Sequence, residues 1–376
     1  MVNAPCVRPR CLPSLVALAA LVVCGTSAPL APVMHGPVGP GPTALTTPLA
    51  IVIHDAPQDL RQHPYTVSLV AASGQTIASA TATGRSRIDG PDVMSLPLPV
   101  TSSSRTRLYY LDGDAQVRFL TPTGATGFVT RLPGGPRAHV AFAVSPDDRR
   151  IAVSVLDYGL TSASPVRMRL YVEDLAGGAH YRALFASTRV FEWPIGWRGV
   201  ALVLALSSAA YTQNTTANPY SAWDGYHVVD GGTARRLMTL CAGHGDASAS
   251  GPLVAAGTLC IRADSYDAES WEGLRFFSVR GPYATGTGAL SPDGTRIAAT
   301  DADRRIILLR RAGQPMVTSA RGYAQGWLDA AHLVVGSNLD LSGPSVLRLL
   351  DVRTGANTPL GTSGVFVGTL PEQFGG

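Results

Sequence analysis

Two stretches decide the architecture: Gly288-Ala-Leu-Ser-Pro-Asp-Gly-Thr-Arg-Ile-Ala-Ala299 and Ala141-Phe-Ala-Val-Ser-Pro-Asp-Asp-Arg-Arg-Ile-Ala-Val153. Each is an apolar run, then Ser-Pro-Asp, then a second apolar run. Pro presets φ for a turn and Asp can bond the backbone just beyond it. Ser145–Arg149 and Ser291–Thr295 are therefore expected to be tight hairpin turns, with Asp147 and Asp293 as their turn formers. Two Gly-Trp segments occupy comparable places, at Gly196-Trp197 and Gly326-Trp327.

A second unit recurs beyond these, an apolar strand followed by a turn with Gly. It is clear at Leu170–Gly177, Tyr226–Gly231, Ile306–Gly313 and Leu347–Gly355. Weaker copies lie at Val67–Gly74, Val117–Gly124 and Phe276–Gly281. A four-stranded propeller blade takes about 40–50 residues, and the turn glycines are spaced on that scale. The expectation is an all-β chain, a β-propeller of seven four-stranded blades, or six if the weak first copies do not close a sheet. Ala50–His54 leaves room for one strand before the first copy, and Gly364–Leu370 is a strand without a partner in sequence. The C-terminal strand is expected to complete the first blade, because a ring must tie its ends.

Ser-Pro-Asp-Gly-Thr-Arg-Ile-Ala and the Leu-Leu-Asp-Val-Arg-Thr-Gly hairpin resemble WD-repeat-like β-propellers of the TolB-like periplasmic kind, over residues 50–370. The resemblance implies the fold and a scaffold for protein contacts. The chain departs from the TolB pattern in having no separate α/β domain before the repeats.

Composition agrees with a turn-rich, well-packed chain. Of 376 residues, 45% are hydrophobic and 15% charged, with 40 Gly and 28 Pro. All 30 basic residues are Arg. The lack of Lys excludes a P-loop, a pyridoxal Schiff base and a Ser-x-x-Lys hydrolase. The net charge of +4 falls to near +2 without Arg8 and Arg10, and there is no basic run, so nucleic acid is not expected as a partner.

Residues 1–28 carry Arg8 and Arg10, an apolar stretch from Leu12 to Gly25, and small residues at Thr26-Ser27-Ala28. They read as an export signal. Leu21-Val22-Val23-Cys24 resembles a lipobox with Val in place of Gly or Ala before the Cys, so lipidation at Cys24 is the alternative. Residues 29–48 hold six prolines and three glycines, a semi-rigid linker. The propeller domain is expected over 49–376. Of five cysteines, only Cys241 and Cys260 lie in the body, and in an exported protein they read as one disulfide. Zinc is the less favoured reading, since Cys241-x-x-His244 adds only one further ligand.

No linear catalytic motif is present: no Gly-x-Ser-x-Gly, His-Glu-x-x-His, Gly-x-Gly-x-x-Gly or EF-hand loop. Asp112/Asp114 and Asp301/Asp303 read as turn formers. Trp193 and Trp197 are expected to pack between blades. No catalytic residue, metal ligand or cofactor is assigned.

A meander puts the Ser-Pro-Asp and Gly turns on one face of the ring and the connections between second and third strands on the other. Those connections are long at Asp157–Val166, Ser207–Asp224, Asp264–Glu272 and Ser337–Ser345. They hold Tyr158, Tyr211, Asn214, Asn218, Tyr220, Trp223, Tyr266, Trp271 and Asn338, the candidate binding residues. The expected function is a monomeric extracytoplasmic binding or scaffold propeller, meeting a protein or an envelope polymer through that face. It would touch a membrane only through a lipid anchor. The alternative is a propeller hydrolase or lactonase with a metal in the central channel.

Overall fold

The computed structural model describes residues 47–54, 63–86, 89–90, 93–94, 100–159, 166–207, 224–241, 248–249, 253–262, 265–280, 288–311, 313, 315–338 and 345–372. They belong to one compact unit, Thr43–Gly376. The expected leader, the linker up to residue 46 and Cys24 lie outside the described residues.

Among the described residues every regular element is a strand. Five four-stranded antiparallel sheets and one seven-stranded sheet make up seven blades. We letter the strands of a blade a to d from the axis outward. Blade 2 holds Thr101–Ser103, Leu108–Asp112, Gln116–Leu120 and Thr126–Arg131; blade 3 holds Ala138–Val144, Arg150–Asp157, Arg167–Asp174 and Arg182–Ser187. Blade 4 holds Phe191–Arg198, Ala201–Ser207, Gly225–Asp230 and Arg236–Leu240; blade 5 holds Ser248–Ala249, Thr258–Ile261, Ser265–Glu269 and Arg275–Arg280. Blade 6 holds Gly288–Leu290, Arg296–Thr300, Arg305–Arg310 and Met316–Arg321.

The seven-stranded sheet is the closure. Blade 7 is Tyr323–Trp327, His332–Gly336, Ser345–Asp351 and the first part of Asn357–Leu370. That last strand pairs Asn357 to Gly364 with blade 7, then crosses over and pairs Val365 to Leu370 with Leu49–His54. It is thus strand d of blade 7 and strand a of blade 1, whose other strands are Leu49–His54, Tyr65–Val70 and Thr76–Ala82. The ends of the ring are joined by main-chain hydrogen bonds, which removes the open edge each would otherwise present.

Side chains close the same seam. Ala50, Val52 and Val70 of blade 1 pack with Val334, Leu347, Leu349 and Leu360 of blade 7. Gly74, at φ 85°, lies so close to blade 7 that a Cβ there would sit 2.6 Å from the Pro359 carbonyl oxygen. Apolar clusters likewise join blades 1 and 2, 5 and 6, and 6 and 7, and one large cluster runs through blades 2 to 5. The core is therefore a ring of interblade layers, which is why strands b and c read as near-continuous apolar runs.

The Ser-Pro-Asp turns work as cross-braced hairpins. Ser145 Oγ and Ser291 Oγ each donate to the turn Asp at 2.6 Å and accept the backbone N–H of Arg150 and Arg296. Gly294 occupies a left-handed φ of 69°, and Asp148 takes the same place at 59°. Asp148 offsets that strain by accepting hydrogen bonds from Tyr109 (2.8 Å) and Thr106 (3.2 Å) of blade 2. Burial alone would raise the Asp293 carboxyl, but hydrogen bonds from Ser291 and Thr295 and the Arg296 charge outweigh it and hold it below the usual carboxylate range. Asp147 is depressed in the same way. Their stabilising effect is therefore present above the unfolded value of about 3.9 and is lost as pH falls through the lower folded value. Asp293→Asn should flatten the decline of melting temperature between about pH 4 and pH 2; an unchanged acid slope would contradict this.

The Gly-Trp segments tie neighbouring blades. Trp197 of blade 4 donates its indole N–H to Ala143 O of blade 3 at 2.9 Å, and Trp327 of blade 7 donates to Ala289 O of blade 6 at 3.0 Å. The two acceptors stand at the same place, two residues before Ser-Pro-Asp. Both tryptophans are almost fully buried.

Blade 5 departs from the sequence reading. Phe276–Arg280 is its outer strand d rather than a third strand, and its outer turn is centred on Gly273 (φ 80°); Gly281 lies outside the described residues. Phe276 mimics an inner strand because the next blade covers it: a Cβ on Gly294 would meet its ring at 3.1 Å, and the Arg311 guanidinium lies 5.7 Å from its centroid.

Candidate functional site

The meander places the a–b and c–d turns at one face and the b–c connections with the d–a links at the other. On the second face the connections between described strands run over 158–166 in blade 3, 208–224 in blade 4 and 337–344 in blade 7. In blade 5 the connection is only 262–264, so the long Asp264–Glu272 connection expected there does not exist.

Three of the expected contact residues are interior. Tyr158 is 4% exposed and packs edge-on against His139 with ring centroids 5.4 Å apart. Burial raises its phenol far above the ordinary value. Tyr266 lies within strand c of blade 5, and burial pushes its phenol up to about 12. Trp271 sits in the outer turn of blade 5, on the opposite face, and donates its indole N–H to Val254 O at 2.9 Å. These rings fill interblade space and are not exposed contacts. Asn338 is exposed at the start of the blade 7 connection, its carbonyl oxygen accepting the Gln325 amide at 3.1 Å. Tyr211, Asn214, Asn218, Tyr220 and Trp223 lie outside the described residues.

Cys241 and Cys260 are disulfide-bonded with Cα atoms 5.2 Å apart. The bond links the end of strand d in blade 4 to strand b in blade 5, so it fastens two blades together. Glu269 Oε2 accepts the Cys241 N–H at 3.0 Å. Among the described residues the one convergence of three potential metal donors is Cys241, Cys260 and Glu269, and the disulfide occupies both sulfurs. Replacing both cysteines with Ala should cost about 3 kcal/mol by urea unfolding. Reduction of the wild type should lower stability by a similar amount, and no change on either treatment would contradict a bracing role. A disulfide fits an oxidising compartment, and no helix among the described residues is long and apolar enough to cross a membrane.

Two buried polar groups are internally satisfied. Glu192 and His227 of blade 4 meet at 2.6 Å in the interior. Asp267 of blade 5 holds Arg262 at 2.9 Å, Arg275 at 3.5 Å and the Ser278 hydroxyl at 2.5 Å. They read as structural, since a buried charge needs such partners.

A cleft of about 350 Å³ lies between blades 6 and 7 at the b–c face. Its walls are Asp303 and Arg304 from the b–c turn of blade 6, Arg321 at the end of strand d and Gly322 from the d–a link, and Val335, Gly336, Ser337, Val346 and Arg348 of blade 7. Arg304 is held in the left-handed region at φ 61°, with its carbonyl oxygen accepting the Gly322 N–H at 2.7 Å. Its guanidinium lies 5.8 Å from the Tyr323 ring centroid. Sequence reading missed this group because its members come from four segments, and Arg348 lay inside a strand recognised only for its turn.

No family model matches the chain, and no curated protein does. Among solved structures, oligogalacturonate lyase from Vibrio parahaemolyticus is similar at 10% identity and a TM-score of 0.49, over 80% of this chain and 91% of that one. AztD from Citrobacter koseri is similar at 10% and 0.48, over 85% and 97%. Dipeptidyl peptidase 4 from Porphyromonas gingivalis gives 7% and 0.49, over 83% and 50%. Likeness at these levels carries no function across. The strand pairing itself establishes what this chain is: an all-β propeller of seven four-stranded blades, closed by its C-terminal strand.

Proposed function

We propose that the chain is an exported, non-enzymatic binding propeller that meets an envelope component on its b–c face. The observation that supports this is the cleft between blades 6 and 7. It opens on that face and is lined by three arginines with no ion-pair partner among the described residues. On the opposite face the turn residues Ser145, Asp147, Asp230, Ser291, Asp293 and Asp351 bond within their own turns. The connection at 208–224 of blade 4, with Tyr211, Asn214, Asn218, Tyr220 and Trp223, and Asn338 of blade 7 supply further contact on the same face. Loops on a rigid scaffold suit recognition, and Tyr and Trp give contact area at small entropic cost.

The test is a crosslinking pull-down from intact cells with the wild type and with Tyr211, Tyr220 and Trp223 replaced by Ala. A component captured by the wild type and lost in the variant is the expected result. Equal capture by both would remove the blade 4 connection from the contact surface. A stoichiometric metal in the purified protein with no captured component would favour the channel enzyme instead.

A further inference from the structure

One register position sets blade 7 apart. Blades 2, 4, 5 and 7 can be aligned on the hydrogen bond that closes the outer hairpin. The donor N–H groups are those of Thr121, Asp230, Ser270 and Asp351, and the acceptors are the carbonyls of Ala125, Arg235, Leu274 and Ala356. Three residues before these donors, strand c carries Arg118, His227, Asp267 and Arg348; blades 1 and 3 close their outer hairpins by the same bond, from Ala71 and Asp174, and carry the uncharged Ser68 and Tyr171 there. In three blades the polar group is met within its own blade. Arg118 lies 3.8 Å from Asp112, His227 lies 2.6 Å from Glu192, and Asp267 holds Arg262 and Arg275. Arg348 has no carboxylate at ion-pair distance among the described residues, and it lines the cleft instead.

The cleft's other arginines are in the same state. Neither Arg304 nor Arg321 has an ion-pair partner among the described residues. Asp303, the one carboxylate in the lining among the described residues, holds Arg305 at 3.1 Å, and Arg305 also holds Asp301 at 2.8 Å. The Arg304 guanidinium lies over the Tyr323 ring, 5.8 Å from its centroid, a cation–π contact that uses none of its N–H groups in a hydrogen bond. Three guanidiniums around about 350 Å³ offer the forked donors that carboxylate and phosphate oxygens accept in pairs. Among the described residues no aromatic ring lines the cleft, whereas protein interfaces are anchored by Tyr and Trp. Gly322 and Gly336 bring bare backbone to the wall, which suits a slender charged chain.

We propose that this cleft is an oxyanion site, and that its ligand is the phosphate or carboxylate group of an anionic envelope polymer. The proposal rests on the reading of the b–c face as the binding face and names the ligand chemistry at one part of it.

The test is calorimetric titration of the purified protein with two probes, a short poly(glycerol phosphate) and a glucuronate-containing oligosaccharide. At least one should bind at low ionic strength and weaken as salt is added. Arg348→Gln with Arg321→Gln should lower the affinity at least tenfold while the melting temperature stays unchanged. Which probe binds separates a phosphate polymer from a carboxylate one. The proposal is overturned if neither probe binds, or if the Arg304→Gln/Arg321→Gln/Arg348→Gln variant binds as well as the wild type. If neither probe binds while the pull-down still captures a protein, the ligand assignment fails and the binding face survives. If an acidic peptide binds and both polymers fail, the cleft is a protein contact and the polymer assignment is wrong.

Discussion

A chain ending at Ser363 is expected not to fold cooperatively. The missing segment supplies strand a of blade 1, and its Val365, Phe366, Val367 and Leu370 are all buried. Burial of each such side chain contributes about 1.5–3 kcal/mol. Together they are of the order of the whole net stability of a domain, about 5–15 kcal/mol. The deletion also exposes the edge of Leu49–His54, whose Ala50–Ile53 are otherwise paired on both sides, so aggregation should accompany the loss. Circular dichroism and analytical ultracentrifugation check both consequences. A truncated chain that stays monomeric with a sharp thermal transition would show that the ring does not depend on this strand.

Trp327→Ala should destabilise the protein by about 3–5 kcal/mol, the range for removing a large buried aromatic. Trp327 is 2% exposed, and its loss would also strip Ala289 O of the indole donor. Trp197→Ala should cost a similar amount, because Trp197 makes the matching bond to Ala143 and its ring also carries the Arg150 guanidinium at 4.7 Å. Trp→Phe at either site keeps most of the packing and removes the hydrogen bond, for an expected cost of about 1–3 kcal/mol. Urea unfolding of the four variants checks the order. Equal, small losses for Ala and Phe would mean that these rings do not bridge the blades.

The repeats were legible because each turn needs particular chemistry. Ser-Pro-Asp must preset φ and cap its own hairpin, and a Gly in most outer turns takes a positive φ, as at Gly74, Gly124 and Gly355. Those demands act locally, so they survive in the sequence. The closing strand was legible for a related reason: an apolar run at the C-terminus had no local partner and so required a distant one. Blade 5 was misread because strand a is two residues long, and an outer strand covered by the next blade is as apolar as an inner one.

The site was less legible. Tyr158, Tyr266 and Trp271 looked like contact aromatics, yet interblade packing claims the same residue types. Burial there depends on the neighbouring blade and leaves no local mark in the sequence. The arginine cleft was invisible for the opposite reason. In a chain whose basic residues are all Arg, one more Arg is not distinctive. Only the register shows that Arg348 stands where Arg118, His227 and Asp267 have partners.

The most direct measurement uses a photo-crosslinking amino acid placed at one of two exposed positions in the living cell. Asn338 lies on the b–c face, and Thr354 lies in an outer turn on the opposite face. Irradiation should give a discrete adduct from position 338 and none from position 354. Adducts from 354 with none from 338 would contradict the assignment of the b–c face as the binding surface.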